Sequence, residues 1–269
     1  MKALLLGTGA ADIQAPDQCR CANCAAVRQR QGRCRRTYTA TLLDGELLLD
    51  CGATVPAQLA RLAPLARPRF LLVTHPDPDH FDLDTIAALA ARATSGRLVI
   101  CGSPAVVAAL QARSPQIPAD LWPLRAFQTL VLDTWSVRAL PARHRGAAGD
   151  SLLYLVSRHQ HCLFYATDTG PLLDETRAAL GGTRLHAVIG EATFGLLTAG
   201  IPDLPSAHLN FPLLCALRDD LLQEGVIAAE TPFVATHLSL HCCPPHEESA
   251  AWLAQRGVQA GYDGMEVEW

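Results

Sequence analysis

The apolar run Leu71-Leu72-Val73 passes through Thr74 straight into His75-Pro76-Asp77-Pro78-Asp79-His80, and no other stretch restricts the fold as much. The run reads as a short buried strand, and the two prolines after it keep the next residues out of a helix. Two imidazoles and two carboxylates are therefore delivered into one tight loop at a strand end. Ionised carboxylates this close repel unless positive charge stands between them, and a divalent cation supplies it. A solvated acidic turn is the plainer alternative. Delivery by an apolar strand, with further candidate ligands downstream, favours the cation.

Composition narrows the class. A chain of 269 residues, 49% of them hydrophobic, buries a substantial core and is not disordered. A formal charge of -4 gives no support for a general nucleic-acid-binding surface. No stretch approaches a membrane span, and the apolar run at residues 3–6 is too short for the core of a signal peptide, so a cytoplasmic protein is expected. In that compartment the ten cysteines are thiols or metal ligands instead of a disulfide frame. With no linker long enough to divide the chain, residues 1–269 are expected to form one domain.

Read in order, residues 3–6 form a strand stopped by Gly7-Thr8-Gly9. A polar segment at about 17–36 then carries Cys19, Cys21 and Cys24, three thiols that converge on one soft cation if a fourth ligand arrives from elsewhere; a redox or incidental cluster is the alternative. Residues 39–43 and 46–50 flank Asp44-Gly45 and predict a hairpin. Asp50 closes its second arm, placed either to hydrogen-bond the ligand loop or to cap the turn. Helical spacing follows at 54–63, a strand at 69–73, a helix from Leu83 to about Arg92, a strand at 97–101 and a helix at 104–113. Two strands lie within 125–140. His144 stands past the second, between Arg143 and Arg145, and those cations keep its ring neutral and able to bind metal. Strands at 152–157 and 162–166 lead to Asp168, a helix at 171–180 to a strand at 185–190, and His208 opens a helix running to about Leu222. Residues 233–236 are a strand that ends on His237, followed by His241, Cys242 and Cys243. A helix at about 245–255 and two short terminal strands close the chain. The order, two runs of hairpin strands each followed by strand and helix alternation, predicts two sheets between helices, an α/β fold of α+β type with four layers.

The strand-end series His75-x-Asp77-x-Asp79-His80, His144, Asp168, His237 resembles the metallo-β-lactamase superfamily, whose fold is an αββα sandwich with a two-metal site at one edge. Within it, three features are similar to the phosphodiesterases of the carbon-phosphorus lyase pathway, which hydrolyse a phosphoribosyl cyclic phosphate. They are Cys19-x-Cys21-x-x-Cys24 soon after Gly7-Thr8-Gly9, His208 after a proline-bearing loop, and the ending Tyr262-Asp263-Gly264-Met265-Glu266. The thiols and the ending also resemble the pyrroloquinoline-quinone biosynthesis B proteins, which implies an alternative as a metal-dependent oxygenase or carrier. A tRNA-end-processing nuclease is a third possibility from the same superfamily, against which the acidic balance counts.

By this resemblance one divalent ion (manganese, zinc or iron) takes His75, Asp77 and His144, and a second takes Asp79, His80 and His237, with Asp168 bridging. A hydroxide held between them attacks a small or cyclic phosphodiester, Asp79 serving the chemistry as well as the metal, and His208 protonates the leaving alkoxide. Arg143 and Arg145 are candidate phosphate-binding residues. The thiols take one structural zinc, and a homodimer is implied. Two positions depart from the family pattern. Asp77 stands where the second histidine of the loop is usual, bringing the formal charge of the loaded site to about zero. The usual fourth zinc ligand falls at Leu240, so His241, one place later, or Cys242 or Cys243 must serve.

Overall fold

The computed structural model describes residues 1–30, 32–93, 96–113, 117–145 and 149–269. Among them are two seven-stranded sheets. The first has the order β14 (Glu266–Glu268), β1 (Lys2–Gly7), β2 (Ala40–Leu43), β3 (Leu47–Leu49), β4 (Phe70–Val73), β5 (Leu98–Gly102), β6 (Ala119–Pro123). The second has the order β13 (Gln259–Ala260), β12 (Phe233–Thr236), β11 (Ala187–Glu191), β10 (His161–Ala166), β9 (Leu152–Arg158), β8 (Trp135–Pro141), β7 (Thr129–Leu132). Each sheet makes antiparallel pairs on one side, as far as β3 and β10, and parallel pairs on the other. The two sheets therefore repeat one plan.

Strand periodicity explains the layers. Leu47 and Leu49 face the second sheet together with Tyr154, Leu163, Tyr165 and Ile189, whereas Leu48, between them, points the other way. That outer face meets α2 (Val55–Leu62), α3 (Leu83–Ala91) and α4 (Pro104–Arg113) through Val55, Ile86, Val106 and Leu110. The second sheet's outer face meets α5 (Asp174–Leu180), α6 (Phe211–Gln223) and α7 (His246–Ala254) through Leu180, Phe211, Leu214 and Leu253. The result is the αββα sandwich expected. Strands covered on both faces have no room for polar alternation, which is why β3 and β4 read as unbroken apolar runs.

Three elements differ from expectation. The thiol-bearing segment contains a helix, α1 (Ala22–Arg30), and β6 adds an edge strand. His208 does not open a helix: α6 begins at Phe211, because Asn210 accepts a hydrogen bond from Leu213 N at 2.9 Å and caps it. No helix among the described residues is long and apolar enough to cross a membrane.

Candidate metal centre

Carboxyl ends of strands from both sheets meet along one edge, where open α/β sheets leave room for ligands. Asp50 follows β3, His75 and the loop to His80 follow β4, His144 lies beyond β8, Asp168 beyond β10, and His237 beyond β12. Three of these turn the chain in the left-handed region, with φ of 63° at Asp50, 51° at Asp168 and 53° at His237. Such a conformation is uncommon without glycine and marks a backbone bent to aim a side chain.

The geometry gathers all seven predicted ligands. His75 Nε2 lies 3.5 Å from Asp77 Oδ2, which is 3.6 Å from His144 Nε2. Asp79 Oδ2 lies 3.5 Å from His80 Nε2 and 3.3 Å from His237 Nε2. Asp168 Oδ2 stands between the groups, 3.4 Å from His75 Nε2 and 2.5 Å from His80 Nε2. Ligand atoms about 2.0–2.2 Å from one ion at tetrahedral angles stand roughly 3.3–3.6 Å apart, so most of these spacings suit two ions.

Hydrogen bonds behind the rings set their tautomers. Asp50 Oδ2 accepts from His80 Nδ1 at 2.9 Å, and Asp50 Oδ1 accepts from the Thr74 hydroxyl, which in turn accepts from His75 Nδ1 at 2.9 Å. Glu191 repeats this in the second sheet. It accepts from His208 Nδ1 at 2.9 Å and from the Thr193 hydroxyl, and Thr193 accepts from His237 Nδ1 at 2.9 Å. His144 Nδ1 donates to the Ala207 carbonyl at 3.2 Å. The Nε2 lone pairs of the four ligand rings, His75, His80, His144 and His237, are thereby turned toward carboxylate oxygens. Acceptor facing acceptor is repulsive without a cation between. Consistently, His80 Nε2, His144 Nε2 and both oxygens of Asp168 are buried with no hydrogen-bond partner. The residues fit a pair of divalent ions.

Without a metal the same carboxylates favour a proton on the rings instead. Burial alone would lower His80, but Asp168 and Asp50 outweigh it and raise the ring well above the ordinary imidazole range. His144 is raised too, burial being overcome chiefly by Asp77, so the flanking arginines do not hold its ring neutral as expected. His144 and then His75 hold Asp77 below the usual carboxylate range, and the imidazoles around Asp79 and Asp168 hold both there against burial. Burial opposes protonation of His208, yet Glu191 and Asp168 raise it to about 9.

A cavity of about 310 Å³ opens on the centre, lined among others by Asp12, Arg145, Phe194, Ile201, Asp203 and His208. Of the two arginines expected near it, only Arg145 lines it, paired with Asp203. Arg143 turns aside, its Nε donating to the Pro171 carbonyl at 2.7 Å. A second cluster joins Cys19, Cys21 and Cys24 to His241, whose Nδ1 lies 3.7, 3.7 and 3.4 Å from the three sulfurs. Zinc bonded to sulfur at about 2.3 Å and nitrogen at about 2.0–2.1 Å sets that spacing near 3.5 Å. Of the three candidates for a fourth ligand His241 is the one brought to the thiols. Cys242 lines the cavity and Cys243 is buried with its thiol directed at the Ala192 and Thr193 carbonyls. The Cys21 backbone N–H and the neighbouring thiols lower Cys19 to about 7, while burial pushes Cys24 up to about 12. Three thiolates do not coexist here without a cation.

Sequence reasoning missed Glu191, Thr193 and Asp12. Glu191 carried a signal, a charge ending the apolar run of β11, as Asp50 does for β3. Asp12 carried none: it is one polar residue of a loop, and only the fold shows its carboxylate accepting from Ser239 Oγ, Leu240 N and His241 N.

The sequence model of the beta-lactamase superfamily domain matches residues 46–194. No curated protein sequence matches the chain. Among solved structures, a diphosphatase from the PhnP family is similar at TM-score 0.77 and 20% identity, covering 100% of this chain and 98% of its own. Zinc-bound PqqB from Methylobacterium extorquens is similar at 0.73 and 16%, covering 100% of both chains. Human tRNase Z, short form, is similar at 0.68 and 16%, covering 100% of this chain and 99% of its own.

Proposed function

The chain belongs to the metallo-β-lactamase superfamily, most of whose members are metal-dependent hydrolases, and from that premise we propose that it is a phosphodiesterase acting on a small or cyclic diester. One observation carries the reading: His208, held through Nδ1 by Glu191, lines the same cavity as Asp77, Asp79, His144, Asp168 and His237, and the same Nδ1 lies 3.3 Å from Asp168 Oδ1. Two structural relatives are named a diphosphatase and a tRNase, and both names denote hydrolysis at phosphorus.

Two divalent cations bound there would take up charge on phosphate oxygens and supply a water of lowered pKa. The chain's own contribution is placement. Asp50 and Glu191 fix the ligand rings, Asp79 and Asp168 hold negative charge where a water proton departs, and His208 presents a proton to the leaving oxygen. Arg145 offers a guanidinium to the phosphate once it leaves Asp203. The cavity lies at the small end of ligand sites, typically about 300–1,000 Å³, which favours a compact diester over a polymer. The same reading takes residues 1–269 as one cytoplasmic domain with a structural zinc on the thiols.

Replacing His208 with Asn should lower kcat by about 10²- to 10⁴-fold for an alkyl diester, whose alkoxide needs a proton to leave. A nitrophenyl diester, whose phenolate leaves unaided, should lose far less. Equal losses on the two substrates would remove the proton-donor role.

A further inference from the structure

Asp77 puts a carboxylate between two ligand rings, and the geometry gives that choice a chemical meaning. Its Oδ2 sits 3.5 Å from His75 Nε2 and 3.6 Å from His144 Nε2. The first half-site is thus two imidazoles and one carboxylate, and Asp79, His80 and His237 make the second half-site the same. Asp168 faces both through His75 and His80. Each half-site then offers two nitrogens and two oxygens. With histidine at position 77 the first would offer three nitrogens and one oxygen, and the halves would differ.

Ligand type is what shifts metal choice within the general affinity series. Imidazole suits zinc, carboxylate and water suit manganese, and two histidines with one carboxylate and open positions suit iron(II). The Asp77 side chain is 52% exposed, so water reaches its corner and more than four ligands can gather, which tetrahedral zinc does not need.

We propose that Asp77 matches the two half-sites to one another and turns the first away from zinc toward an oxygen-preferring divalent ion, manganese(II) or iron(II). This rests on the reading above that the seven side chains hold two cations. The test is anaerobic competition dialysis of the full chain, stripped at this centre, against equimolar zinc, manganese(II) and iron(II). Metal content and the paramagnetic resonance spectrum of the manganese-loaded protein are then read for the wild type, Asp77→His and Asp77→Glu. With the one zinc of the thiol cluster subtracted, the manganese-plus-iron to zinc ratio should fall at least tenfold in Asp77→His and stay at the wild-type value in Asp77→Glu, which keeps the carboxylate. The wild-type manganese spectrum should show two exchange-coupled ions. Equal ratios in the wild type and Asp77→His would overturn the proposal while leaving a hydrolase intact. Selective uptake with no diester cleaved under any metal would support it and sink the phosphodiesterase reading instead.

Discussion

Asp50 holds no ligand position, yet two of the rings in the centre depend on it, His80 directly and His75 through Thr74. A carboxylate only accepts, so both rings keep their protons on Nδ1 and their lone pairs inward. An amide in its place presents N–H to one of two groups that are themselves donors. Asp50→Asn should therefore weaken divalent-ion binding by about 10- to 100-fold, read by calorimetric titration, without changing the ratio of alkyl to nitrophenyl diester rates. Glu191→Gln should weaken binding similarly and change that ratio as well, because Glu191 also holds His208. If Asp50→Asn binds metal as tightly as the wild type, the tautomer argument fails. At this scale the sequence was informative about ligands and poor about their supports. A ligand histidine is conspicuous, whereas Thr193 differs from any other threonine only by what surrounds it.

Strand ends are the element-scale unit of this protein, and most of them could be read in advance because an apolar run stops at a charged or ring-bearing residue. What could not be read lacked that contrast. β6 has Asp120 and a proline and buries only Ala119, so it carries no alternation. α1 is polar, with Asn23 and Cys24 among its buried positions, so it has no apolar stripe to find. The start of α6 is legible in Asn210-Phe211-Pro212, a cap followed by proline in the first turn, three residues after His208. Packing between elements also sets the ligand loop. A Cβ at Gly52 would lie 2.2 Å from the Asp79 carbonyl oxygen. Gly52→Ala should thus push the loop outward, costing about 1–3 kcal/mol and lowering the metal content of the second half-site. A melting curve and elemental analysis matching the wild type would count against the contact.

Across the whole molecule, the first and last segments are tied by a buried network of their own. Arg36, itself buried, donates to the Thr8 hydroxyl and the Gly261 carbonyl, Thr8 donates to Asp263, and Arg36 Nη2 lies 3.5 Å from His246 Nδ1. The ending that resembled a family signature is therefore a clamp. Burial, followed by the Arg36 charge, lowers His246 to about 4. The unfolded chain, with an ordinary imidazole near 6.5, takes up a proton first as pH falls. This residue should therefore destabilise the fold progressively from about pH 6.5 down to about 4, and not above it. Denaturant midpoints across that interval should slope less steeply for His246→Gln, and parallel slopes would exclude the residue.

The repeated plan of the two sheets also bears on descent. Each wing keeps its own acid, its own hydroxyl and its own pair of rings, but the first wing's rings, His75 and His80, serve different half-sites. Erosion of that wing would therefore reach both ions at once.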